Sequence, residues 1–227
     1  LTADWQVASP MLYLQEIGRQ RPDVICIDVL LLRRSWYLDY LESRCPGLMR
    51  RSREEVRLFM EDLARWEADP GAFRRDAERT RRIDDRFCAM IAAFVADHLG
   101  GGPVYATSDV VLSPGGENRS LAEALLREYR IVPQGLVFRL PARGEAPGPA
   151  LPALNMRGLV PRAPAVDADP VVRQKVLPAY ATMLVNCGRA YAAQGDRERS
   201  MEAYRQAWAV DSAYVRERNL LPQGVAF

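Results

Sequence analysis

Residues 1–38 read LTADWQVASPMLYLQEIGRQRPDVICIDVLLLRRSWYL, and how this stretch divides decides the fold expected of the chain. Leu1, Thr2 and Ala3 read as the end of a strand, closed by Asp4. Ser9-Pro10 marks a helix start, because a serine oxygen satisfies orphan amides and proline needs no N–H at the first helical position. Gly18 suits the stop of that helix. The following run, Val24-Ile25-Cys26-Ile27, is continuously apolar and mostly β-branched, as expected of a parallel strand covered on both faces. Strand, helix and strand together predict a βαβ unit with a right-handed crossover.

Downstream the pattern turns helical. Ser52-Arg53-Glu54-Glu55 has capping-box spacing, and Val56, Phe59, Met60, Leu63 and Trp66 then fall on one helical face. Asp69-Pro70-Gly71 breaks that helix, and a second follows with Ile83, Phe87, Met90, Ile91 and Phe94 on its buried side. Gly100-Gly101-Gly102 ends it. Val104-Tyr105-Ala106-Thr107 reads as a strand, Ser120-Leu121-Ala122-Glu123 as another capping box, and the stretch from Gly135 to Leu140 as a further strand. The fold class expected is α/β: a mainly parallel sheet with flanking helices over residues 1–140, its strands at 1–3, 24–29, 104–107 and 136–140. Residues 141–170 are rich in Pro, Ala and Gly and read as a linker or a surface-hugging loop.

Residues 171–227 read as all-α. Leu184, Gly188, Tyr191, Gly195, Tyr204 and Ala207 stand at tetratricopeptide-repeat spacing, with Gly195-Asp196 at the turn between two helices. Ser200 stands where alanine is usual and Ser212 where proline is usual. A single repeat cannot bury its own face, so this hairpin must pack on other elements or on a partner. Tyr191 and Tyr204 are its candidate partner-binding residues.

Lys+Arg 31 against Asp+Glu 29 leaves a formal charge of +2 over 227 residues, which gives no field calling for nucleic acid. The arginine clusters at 50–53, 74–75 and 79–82 alternate with acids at helical spacing and read as solvated faces. No apolar run approaches the roughly 20 residues that span a bilayer, and no signal peptide is present, so the chain reads as soluble. It begins at Leu1, within an expected strand, and reads as a segment of something longer. Cys26, Cys45, Cys88 and Cys187 are dispersed without a Cys-x-x-Cys pair, so no zinc or thioredoxin motif is present; free thiols are expected, with a Cys45–Cys88 bridge the conceivable exception. The triple glycine precedes a strand and lacks the P-loop lysine, which excludes a phosphate loop. His98, the single histidine, lies at a helix end where a contact with the helix dipole explains it, which rules out most histidine-dependent triads and multi-histidine metal sites, and there is no Gly-x-Ser-x-Gly elbow. No cofactor and no metal are expected.

The opening stretch also resembles the soluble C-terminal part of a bacterial family of multi-span membrane proteins related to protein O-mannosyltransferases. The residues that carry this are Asp4, Tyr13-Leu14-Gln15-Glu16, Arg21-Pro22-Asp23-Val24 and Leu31-Leu32-Arg33-Arg34-Ser35-Trp36-Tyr37, in the family's order and spacing. Pro103-Val104-Tyr105 and Gln134-Gly135-Leu136 match more loosely. Where many relatives carry Asp-Thr after the first acidic residue, this chain has Trp5-Gln6-Val7-Ala8, which weakens any polar role for that loop. The resemblance implies an extracytoplasmic, periplasmic domain at the inner membrane, partnered by its own N-terminal membrane-embedded region, with the catalytic acid in that region and not in this chain.

In an open parallel sheet, ligands bind beyond the carboxyl ends of the strands. Those ends here are Asp4-Trp5, Asp28 with Arg33-Arg34, and Ser108-Asp109, with Trp36 close by in sequence. Carboxylates would accept from saccharide hydroxyls, arginines would hold phosphate, and Trp5 or Trp36 would stack on a sugar face. The bland alternative is that these residues cap helices and pair with one another. The leading expectation is thus a supporting or acceptor-recognition domain of a membrane-bound glycosyltransferase-like protein, without bond-forming chemistry of its own. The alternatives are a protein–protein interaction module using the hairpin and a self-contained small-molecule enzyme.

Overall fold

The computed structural model describes residues 1–112, 119–151, 170–225 and 227. Of the expected linker, residues 152–169 lie outside the described residues. The chain divides into two units, one of Leu1–Arg130 with Leu140–Gly144, the other of Ile131–Arg139 with Glu145–Phe227. Residues 131–139 therefore belong with the helical C-terminal region, although the sequence reading grouped them with the first domain.

The expected α/β class is overturned. The structure is 66% helical, and among the described residues its strand content is three strands of three or four residues. These are β1 (Val104–Ala106), β2 (Val132–Gln134) and β3 (Val137–Leu140), of which β2 and β3 pair antiparallel. Residues 24–29 form no strand. The peptide groups of Val24 are consumed locally: its N–H donates to the Arg21 carbonyl at 3.1 Å, and its carbonyl accepts from the Gln15 side chain at 2.8 Å. What remains of the parallel arrangement is one bridge between Thr2 and Asp28, with Thr2 N–H to Ile27 O at 3.0 Å and Val29 N–H to Thr2 O at 2.8 Å. On its other side the Leu1 nitrogen donates to Tyr105 O at 2.7 Å, and Thr107 N–H to Leu1 O at 3.0 Å. An apolar β-branched run becomes a strand only where a neighbour takes its peptide groups.

The first unit is built on helices. α1 (Trp5–Glu16) starts earlier than Ser9-Pro10 suggests, because the Asp4 carboxylate caps it by accepting from Gln6 N–H at 2.9 Å. Pro10 consequently lies inside the helix, where it leaves the Gln6 carbonyl without its i+4 donor. After a 3₁₀ turn (Leu31–Arg33) come α2 (Ser35–Arg44), α3 (Pro46–Arg51), α4 (Arg53–Ala68), α5 (Pro70–Arg74) and α6 (Ala77–Leu99). Ser52 makes no capping box. Its buried hydroxyl donates to Asp97 at 2.6 Å, tying the start of α4 to the end of α6. Phe59 and Leu63 of α4 are buried, as are Phe87, Met90, Ile91 and Phe94 of α6, and the Phe59 and Phe87 rings meet at 5.5 Å. The short helix α7 (Ser108–Val111) and α8 (Arg119–Glu128) complete the unit; Ser120 lies inside α8.

In the second unit, Gly135 at φ 65° opens the two-residue turn between β2 and β3. A five-residue π turn (Val172–Val176) leads into α9 (Leu177–Ala193), which pairs with α10 (Arg197–Glu217) across Gly195, at φ 81°. α10 breaks at Asp211, whose carboxylate then caps its last turns by accepting from Tyr214 N–H at 2.9 Å. Tyr204 lies flat on Gly188: a β-carbon there would stand 2.4 Å from the tyrosine ring.

Candidate functional site

The three aspartates of the expected rim do lie around the bridged segments, but backbone amides take up each of them. Asp4 caps α1 and donates its own N–H to the Thr2 hydroxyl at 3.1 Å. Asp28 is buried; its carboxylate accepts from Leu30 N–H at 2.9 Å and Leu31 N–H at 3.4 Å, capping the 3₁₀ turn. Asp109 accepts from Ala3 N–H at 2.7 Å. The arginines turn elsewhere. Arg33 pairs with Asp84 of α6 at 3.3 Å and lies 4.1 Å from the centre of the Phe87 ring, while Arg34 stands over Trp66 at 5.7 Å. Ser108 is the first residue of α7. Trp5 and Trp36 are well exposed, at 66% and 57%, and Trp36 meets the edge of Tyr37 at 5.7 Å.

The Tyr37 hydroxyl accepts from the Asp28 N–H at 3.1 Å. Burial is the main reason its phenol is pushed up to about 12, so it stays protonated as a neutral brace. Among the described residues no group of three His, Cys, Asp or Glu side chains is placed to hold a metal ion.

The hairpin tyrosines have different surroundings from those expected. Tyr204 is core, 2% exposed, and its hydroxyl has no hydrogen-bond partner. Tyr191 is also buried, and it holds a segment of its own chain: its hydroxyl donates to the Pro149 carbonyl at 3.0 Å. Residues 149–151 are extended there, with Ala150 N–H to Pro133 O at 3.1 Å and Gly135 N–H to Ala150 O at 2.8 Å on the β2 side. The Cys187 thiol approaches the Ala150 carbonyl at 3.7 Å. Beside this segment opens a cleft of about 430 Å³, lined by residues 149–151, Tyr191, Arg199, Glu202 and Gln206.

No known protein family, curated protein or solved structure matches the chain. Chemistry must therefore be read from the cleft itself. Arg199 stands 5.8 Å from the Tyr191 ring and 3.6 Å from Asp196, with most of its side chain exposed. Glu202 is held below the usual carboxylate range first by the Gln206 amide, which donates at 2.9 Å, and then by the charge of Arg205, its other partner. One wall thus carries donors and acceptors of both signs, and the other is an extended backbone. Such a lining can hydrogen-bond the polar groups of a ligand from both sides. Arg199, Glu202 and Gln206 escaped the sequence reading, although their i, i+3, i+7 spacing puts them on one face of α10.

Proposed function

We propose that this chain is a non-catalytic recognition module whose helical hairpin takes an extended protein segment. The observation that carries the reading is that the hairpin already grips one: residues 149–151 lie along it, bonded through Tyr191, with an open cleft alongside. Extended segments bind through their backbone groups and a few side-chain pockets, and the cleft offers Arg199, Glu202 and Gln206 for both. Panning a display library of short peptides against the protein tests this. Enriched peptides are expected to lose about tenfold in affinity against Arg199→Glu, matching the loss of one charge-assisted hydrogen bond of about 1.5 kcal/mol. No enrichment, or binders indifferent to the substitution, would refute the reading.

A second reading is a supporting domain of a membrane-bound O-mannosyltransferase-like protein on the extracytoplasmic face. It rests on the sequence resemblance of residues 4–37, several of which interlock locally. Gln15 bonds the Arg21 and Val24 carbonyls at 3.0 and 2.8 Å, and Tyr37 bonds the Asp28 amide. Their spacing serves the packing of one local assembly. On this reading the native polypeptide sediments with membranes after a carbonate wash, and the isolated chain turns over neither lipid-linked nor nucleotide sugars. Recovery of the native polypeptide in the soluble fraction would count against it.

A further inference from the structure

We propose that α1 is the two-fold contact of a homodimer. The helix leaves large apolar side chains in solvent: Val7, Ala8, Met11, Leu12 and Gln15 form its buried or half-buried side, whereas Trp5 is 66% exposed, Tyr13 63%, Ile17, at its C-cap, 68% and Leu14 42%. At 100° per residue Trp5, Tyr13 and Ile17 fall within one stripe, with Leu14 at its margin. Arg44 at the end of α2 pairs with Glu16 at 2.6 Å, so the charge within the stripe is already neutralised. Full side chains of this kind offer roughly 150–250 Å² each, so the exposed fractions leave on the order of 500 Å² on one chain and about 1,000 Å² over two copies. That reaches the lower limit of a specific protein interface.

The pattern is self-complementary, as an isologous contact requires. When two copies of α1 pack antiparallel in the register that sets Trp5 against Ile17 of the second copy, Tyr13 falls against Ser9, and Gln6 against Glu16. Apolar Trp5 meets apolar Ile17, the large Tyr13 meets the small Ser9, and polar meets polar. The chemistry also disfavours a lipid surface as occupant. Helices that lie in a membrane interface draw on lysine and arginine, whereas α1 has neither, and its one charge, Glu16, is already paired. Tryptophan and tyrosine around a single charge that Arg44 already neutralises are what protein interfaces enrich at their centres.

Sedimentation velocity on the whole chain tests this. A monomer–dimer equilibrium with a dissociation constant on the order of 10 µM is expected for an interface at this lower limit. Ile17→Glu and Trp5→Glu should each weaken it by about tenfold or more, with far-UV circular dichroism and the thermal midpoint unchanged. As a second measurement, chains with Gln6→Cys mixed with chains with Glu16→Cys should give a mixed disulfide dimer in greater yield than either alone. A monomer up to about 200 µM, twenty times that constant, would overturn the proposal. So would a dimer unaffected by both substitutions, a failure of the mixed disulfide, or recovery of the wild-type chain with neutral lipid vesicles.

Discussion

Removing the charge of Asp62 should loosen the first unit more than removing any of its exposed charges. The Asp62 carboxylate is fully buried between α4 and α6, where three arginines surround it. Arg82 grips it with both arms at 2.9 Å, Arg86 reaches it at 2.9 Å and Arg65 at 3.1 Å. Breaking a buried ion pair on one side costs about 3–5 kcal/mol. The lower end applies here, because the arginine side chains keep 27–63% of their surface and regain water when released. Asp62→Asn should therefore cost about 3 kcal/mol at neutral pH, a fall of about 6–12 °C in the thermal midpoint of this unit.

The acid limb supplies the control. Burial alone would raise the pKa of Asp62, but the Arg82 hydrogen bonds and the Arg86 and Arg82 charges hold it below its ordinary value. A carboxyl depressed in the folded state stabilises above its unfolded value of about 3.9, and that contribution fades as pH falls through the folded value. The gap between wild type and Asp62→Asn should then narrow as pH falls below about 4, followed by calorimetry. A loss under about 1 kcal/mol at pH 7 would refute the reasoning, as would a gap that stays constant into acid.

Gly188→Ala should cost at least about 1–3 kcal/mol by overpacking, since the new methyl would press on the Tyr204 ring, whereas Tyr204→Phe should be neutral or stabilising by up to about 1 kcal/mol because it removes an orphan hydroxyl; both are read by urea titration. Gln15→Ala should lower stability by about 1–3 kcal/mol, because it strips two carbonyls of their shared donor, and amide exchange should rise first across residues 18–24. Burial pushes the Cys88 and Cys187 thiols up to about 11, so both should resist a thiol-labelling reagent at pH 8 until urea unfolds the chain; labelling of Cys187 as fast as a free thiol would contradict its place under Ala150.

The periodic helices were the legible part of this chain. Phe59 and Leu63, and likewise Phe87, Ile91 and Phe94, repeat at helical spacing, and helices carry their hydrogen bonds within themselves, so pattern alone locates them. Residues 24–29 show the opposite case. Their composition is that of a buried strand, but a strand's hydrogen bonds lie with its neighbours, and Gln15 and Arg21 claim the Val24 groups first. The same difference separates the two candidate sites. Asp4, Asp28 and Asp109 were placed near one another by counting strand ends, yet counting could not say that amides of Gln6, Leu30 and Ala3 would take their oxygens.

From residues alone came the near-neutral charge, the single histidine, the amphipathic helices and the Gly188–Tyr204 spacing, all of them properties of composition or of contacts a few turns apart. Tertiary structure decided the rest: that residues 149–151 lie along the hairpin, that Asp62 is buried among arginines, and that α1 turns its aromatic face outward. Each of these joins groups far apart in the chain or sets a face against solvent. Their free energies depend on desolvation and closure of long loops, and no local pattern of residues encodes either.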